Sequence, residues 1–235
     1  MILPNEKLIY IHVPKTGGAS VEDYLLDNFN YKRSVLSLTD GIGLLKIKNN
    51  VNDGYEAMYP YMHYTLPQIV KIASKSNIKV DNSWSIFSIV RNPYYKFLSE
   101  IFFLSPSLPL QHYHTLPNKI DKDILINESI DSYFTMKQNE RFHSNHSLPQ
   151  YKFFEDTDLN CKIFKFEEGL INIMGKLGFD AKDNFPHRLN MFHISGSPRP
   201  NYKDVLTPHL IEVVNKRYQK DFEMFKYNML SPLDI

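Results

Sequence analysis

KLIYIHVPKTGGASVEDYLLDNF, Lys7 to Phe29, decides the fold. Its opening seven residues, Lys7 to Val13, are rich in β-branched and aromatic side chains and end at Pro14, so they predict a strand. The loop PKTGGAS follows. Behind it Val21, Tyr24, Leu25 and Phe29 recur at helical spacing, with Ser20 placed as N-cap. The same order of strand, turn and helix returns twice. SWSIFSIV ends at Val90 and runs into RNPYYKFLSEIFF, where Asn92 reads as N-cap and Pro93 as the first helical residue. CKIFKF, beginning at Cys161, reads as a buried strand feeding a helix from about Glu168 to Leu177 that stops at Gly178. Strands alternating with helices predict an α/β fold of three layers around a mainly parallel sheet, with a P-loop-like loop after the first strand. Ligands in such sheets sit beyond the carboxyl ends of the strands, where both notable loops fall.

Working outward, Ser34 to Leu38 suggests a further short strand and Asn49 to Gly54 a loop. Leu66 to Ser74 has helical periodicity, with Pro67 suited to a first turn. Ser105 to Lys122 reads as an irregular excursion, followed by a helix from about Glu128 to Arg141. The segment Asp180 to Asp204 reads as a long loop of the kind that usually serves a function, and a last helix begins near Thr207. The whole, residues 1–235, is expected to be a single domain with a real core, since 43% of its residues are hydrophobic and 23% charged. Tyrosines crowd between Tyr55 and Tyr64, a rim suited to stacking on a sugar or phenolic ring.

A net charge of +1 provides no general attraction to nucleic acid or anionic lipid, so anion binding must come from local sites. Cys161 is the single cysteine, which excludes an intramolecular disulfide and a thiolate metal cluster, and it is expected to be a small core residue. No signal peptide and no run of 18 apolar residues is visible, so a soluble cytoplasmic protein without a membrane anchor is expected. His112 with His114, and His143 with His146, lack a matching carboxylate pattern and read as solvated loop histidines; no metal is expected.

PKTGGAS follows a Walker A loop only in outline, because Lys15 precedes Gly17 and Gly18 where that motif places lysine after its last glycine. What it offers is an anion cradle. Two glycines let the backbone approach a phosphate at a helix start, and Lys15, Thr16 and Ser20 add donors. Arg91 stands at a strand end, where a guanidinium can clamp a phosphate in a bidentate manner. Asn92 and Ser99 are seven residues apart and share a helix face, so Arg91 and Ser99 are candidates for one phosphate. Pairing of Arg91 with an acidic neighbour is the competing reading.

IHVPKTGGAS after one strand and IVRNPYYKFLSE after a later one together resemble the sulfotransferases that use 3′-phosphoadenosine 5′-phosphosulfate (PAPS). The resemblance is to the branch of carbohydrate sulfotransferases and their prokaryotic and viral relatives. It continues in MHYTLPQI around His63, HSLPQYKFF around Gln150, IFKFEEGL around Glu167, FPHRLN ending at Asn190, and the terminal YQKDFEMFKY. It implies that Lys15 meets the bridging oxygen of the phosphosulfate. Thr16, Gly17, Gly18, Ala19 and Ser20 would hold the 5′-phosphate, and Arg91 and Ser99 the 3′-phosphate. His63 aligns with the family's proposed base, a role that suits a side chain largely neutral at pH 7. His12 is the runner-up, since its place near the end of the first strand lets it reach the same cleft. Glu167 reads as an ion-pair residue, and Arg199 and Lys203 as candidates for closing the nucleotide site.

The expected activity is transfer of a sulfuryl group from PAPS to the hydroxyl of a glycan, phenolic or small alcohol acceptor. Two other readings stand beside it. One is a nucleotide or metabolite kinase, set against the displaced lysine; the other is a PAPS-binding module without catalysis.

Overall fold

The computed structural model describes residues 1–29, 63–75, 77–103, 113, 115–138, 145–181, 185–186 and 201–233. The expected strand at Ser34 to Leu38, the loop Asn49 to Gly54 and most of the tyrosine rim lie outside them. So do Arg199, His112, His114 and His143. The chain divides into two compact units, Met1–Arg91 with His143–Arg188, and Asn92–Phe142 with Leu189–Ile235.

The first unit is built on a four-stranded sheet in the order β1-β2-β3-β4, comprising β1 Ile2–Leu3, β2 Leu8–Ile11, β3 Ser85–Val90 and β4 Cys161–Lys165. β2, β3 and β4 run parallel, whereas β1 pairs with β2 antiparallel as a two-residue edge that composition did not announce. Tyr10 lies opposite Phe87, and Ile89 opposite Phe164, so these side chains share one face. They pack with Val21, Tyr24 and Leu25 of α1 (Gly18–Asn28) and with Ile173 and Met174 of α5 (Leu170–Lys176). The other face, including Ile9, Ile11, Ile86 and Val90, is buried too. Burial on both faces is why β2 and β3 read as unbroken apolar runs and not as alternating ones.

β4 is the other edge of the sheet, and its residues are half-buried or exposed. Cys161 is therefore not the core residue expected but a half-buried one, whose surroundings push its thiol up to about 12 and keep it protonated. The helix after β4 starts at Leu170, behind a 3-10 turn at Phe166–Glu168, and ends before Gly178, whose φ of 90° is the left-handed turn the sequence predicts. α2 (Leu66–Lys75) matches its forecast. Its start is fixed by Thr65 and Gln68, which cap one another: Thr65 N–H donates to Gln68 Oε1 at 2.9 Å and Gln68 N–H to Thr65 Oγ1 at 3.4 Å.

The second unit is helical, formed by α3 (Pro93–Phe103), α4 (Lys119–Gln138) and α6 (Pro208–Phe225). Asn92 caps α3 as expected, its Oδ1 accepting from Tyr94 N–H at 3.0 Å. α4 begins nine residues before its forecast. Asn118 supplies the start signal that composition hid, accepting from Asp121 N–H and donating to Asp121 Oδ2, both at 2.9 Å. Thr207 caps α6 through Leu210 N–H at 3.1 Å. Tyr94, Phe97, Leu98 and Ile101 of α3 meet Ile126, Ile130 and Tyr133 of α4 and Leu210, Val214, Tyr218 and Phe222 of α6 in one core. Among the described residues no helix is long and apolar enough to cross a membrane.

Three charged side chains lie inside this helical core: Lys96, Glu100 and Asp221, each no more than 2% exposed. Burial pulls the Lys96 ammonium below its ordinary range, and the carboxylates of Glu100 and Asp221 counter that pull. Lys96→Met would remove a buried cation from beside two buried anions. We expect it to cost about 3–5 kcal/mol, and the triple variant Lys96→Met/Glu100→Gln/Asp221→Asn to recover most of that loss, as measured by chemical denaturation.

Candidate active site

The site grows from the carboxyl end of β2. After Ile11 the chain tightens: Val13 N–H donates to Ile11 O at 3.2 Å, and the buried Thr16 hydroxyl donates back to Val13 O at 2.8 Å. Lys15 (φ 68°) and Gly17 (φ 79°) both adopt left-handed backbone, so the loop folds over itself before α1 starts. The helix begins at Gly18, three residues earlier than the capping role given to Ser20 implies. Ser20 lies in the first turn, and its N–H bonds to Gly17 O at 3.0 Å. Gly17 is the N-cap, and no side chain caps this helix start. An uncapped first turn, approached by a glycine loop, suits an anion as its cap.

The two glycines answer to different neighbours. A Cβ on Gly17 would come within 2.9 Å of Leu170 Cδ1 and 3.0 Å of Phe166 Cε2, at a φ that L side chains avoid. A Cβ on Gly18 would lie 2.1 Å from the His12 ring. The imidazole of His12 thus occupies the space where residue 18 would carry a side chain. Buried beneath the helix start, His12 pairs through Nδ1 with Glu22 Oε1 at 3.0 Å.

His63 arrives from the segment before α2 and packs its ring edge-on against His12, 4.4 Å between centroids. Its Nδ1 lies 3.0 Å from the His12 carbonyl. A carbonyl only accepts, so Nδ1 carries the proton and the lone pair resides on Nε2. Asn145 Nδ2 donates to the His63 carbonyl at 2.7 Å and to Gln68 Oε1 at 3.2 Å. His146 is half-buried with its ring 4.5 Å from His63, which corrects the expectation of a solvated histidine. Turn composition could not show that its loop folds onto His63.

Arg91 follows β3. Its backbone is gripped on both sides by Gln150: Arg91 N–H donates to Gln150 Oε1 and Gln150 Nε2 donates to Arg91 O, each at 2.8 Å. The guanidinium lies 4.7 Å over the Phe166 ring and donates from Nη1 to the Lys15 carbonyl at 3.1 Å. Arg91 therefore ties the end of β3 to the glycine loop after β2. Ser99 is a buried residue of α3 in the second unit, and Lys203 is exposed in a 3-10 turn of that unit. Glu167 is exposed, and beside it Glu168 pairs with Lys176 at 2.5 Å and accepts Lys165 N–H, which holds its carboxyl below the usual range. Among the described residues no group of three or more histidine, cysteine or acidic side chains is placed to hold a metal ion.

Sequence reasoning did not assign Glu22, Asn145, Gln150 or Phe166. They act across 10 to 82 positions, and no local spacing marks them.

A parallel sheet that delivers a lysine-bearing glycine loop to an uncapped helix start defines an α/β protein built to hold a phosphorylated ligand. The sulfotransferase family model matches residues 1–228. The chain belongs to the sulfotransferase family and is a PAPS-dependent sulfotransferase. Neither the curated proteins nor the solved structures compared with it give a significant match.

The Gly18 contact is testable. Gly18→Ala is expected to weaken binding of 3′-phosphoadenosine 5′-phosphate (PAP) by about ten-fold or more, because the methyl group must displace a buried ring, a strain of about 1–3 kcal/mol. Gly18→Ala/His12→Ala is expected to regain much of that affinity when both are titrated by calorimetry.

Proposed function

We propose that the protein transfers the sulfuryl group of PAPS to a hydroxyl of a glycan, phenolic or small alcohol acceptor, with His63 as general base. The observation that carries this reading is the bond from His63 Nδ1 to the His12 carbonyl, which leaves Nε2 as the proton acceptor. The acceptor oxygen attacks sulfur, the bond from sulfur to the bridging oxygen breaks, and PAP departs. The hydroxyl proton passes to His63 Nε2.

Lys15 faces the developing charge on the bridging oxygen in this reading, and Thr16 to Ser20 hold the 5′-phosphate at the helix start. Arg91 has five N–H donors, so one bond to Lys15 O does not exhaust it, and it is assigned with Ser99 to the 3′-phosphate. The transferred sulfuryl carries less charge than a phosphoryl group, so lysine, arginine and helix amides suffice and no step calls for a metal. The alternative base is His12, whose Nδ1 is backed by the Glu22 carboxylate.

Two outcomes are expected. PAP should raise the melting temperature at micromolar concentration well beyond ATP, by preferential binding to the native state; equal shifts in a thermal scan would remove the 3′-phosphate assignment. His63→Ala should lower turnover on the order of 100- to 10,000-fold with PAP affinity nearly intact, whereas Lys15→Ala should lose both. Normal turnover in His63→Ala together with its loss in His12→Ala would transfer the base role to His12.

A further inference from the structure

The segment Asn145–Phe153 does more than connect. It is two 3-10 turns, Asn145–Ser147 and Gln150–Phe153, closed by Leu148 N–H to Asn145 O at 3.1 Å and by Lys152 N–H to Pro149 O at 3.1 Å. Those bonds fix how far Asn145 stands from Gln150 along a short, stiff piece of chain. At one end Asn145 holds the His63 carbonyl and His146 packs on the His63 ring. At the other end Gln150, with 0% exposure, holds both backbone groups of Arg91.

The Gln150 contact replaces a strand. β3 is paired with β4 as far as Val90 opposite Lys165, and Arg91 is the first residue beyond that ladder. A side-chain amide presents one acceptor and two donors in a plane, so it can satisfy a residue's N–H and C=O at once, as a neighbouring strand would. Arg91 thereby stays in line with β3, and its guanidinium is aimed back at the Lys15 carbonyl.

We propose that Asn145 and Gln150 are positioning residues which set the acceptor-side His63 and the donor-side Arg91 in a common frame. This rests on the reading of His63 as base and of Arg91 as a donor clamp. A misplacement of the base relative to the donor of about 1 Å is enough to cost on the order of 100-fold in rate, so a rigid link between the two has a catalytic purpose.

The test is a pair of double-mutant cycles on the whole protein, reading kcat on any accepted hydroxyl substrate and PAP affinity by calorimetry. Asn145→Ala is expected to lower kcat about ten-fold with PAP affinity within about two-fold, and Gln150→Ala to weaken PAP about ten-fold, the worth of a hydrogen bond to a backbone group left unpaired. Because each acts through another side chain, Asn145→Ala should add little to the kcat loss of His63→Ala, and Gln150→Ala little to the affinity loss of Arg91→Ala. A purely structural role would add fully in both backgrounds and would overturn the proposal. If the alanine variants do not fold, Asn145→Asp and Gln150→Glu, which keep size and delete the donors, carry the same test. Unimpaired kcat in His63→Ala would instead defeat the base assignment itself, a result distinct from additivity with an impaired His63→Ala.

Discussion

The contact between the His12 imidazole and the backbone of Gly18 is the constraint on which the rest of the site depends. It demands a residue without Cβ at the first position of α1, and so fixes how closely the helix start approaches the end of β2. It brings Glu22, one turn further along the helix, within reach of His12 Nδ1. It also holds the His12 carbonyl where His63 can donate to it, and that bond determines which nitrogen of His63 bears the proton. One buried ring thus links the geometry of the glycine loop and the tautomer of the proposed base.

Arg91 supplies the corresponding link at the next strand. Its backbone is held by Gln150, its guanidinium rests on Phe166 from the turn after β4, and its Nη1 reaches the loop after β2. The carboxyl ends of all three parallel strands are joined through this residue. The helical unit uses charge differently: Lys96, Glu100 and Asp221 are interior, and the two carboxylates offset the burial that disfavours the Lys96 charge.

The sequence made β2 and β3 legible because burial on both faces leaves an apolar run that ends sharply at Pro14 or Arg91. Caps were less legible. Asn92 sits beside a proline and was visible, whereas Asn118 was hidden in a polar stretch and α4 was forecast too short. Ser20 was misread because glycine at positive φ, with no side chain to announce it, starts the helix. At the site, Lys15, Gly17, Gly18, Arg91 and His63 stood out by motif, but the residues that aim them did not. Gln150 and Asn145 act on residues 59 and 82 positions away, and no local pattern encodes such a pairing.

Lys15 itself stands at φ 68°, a conformation that costs an L residue about 1–2 kcal/mol and that glycine or asparagine tolerates. The loop already contains glycine at 17 and 18, so relief of that strain lies within a single substitution. Holding a lysine there means that thermodynamic ease and chemical competence pull in opposite directions at this position. A search for hardier forms of the protein guided by folding stability alone would therefore drift toward Lys15→Gly, and would discard the side chain to which the proposed function assigns the departing phosphate.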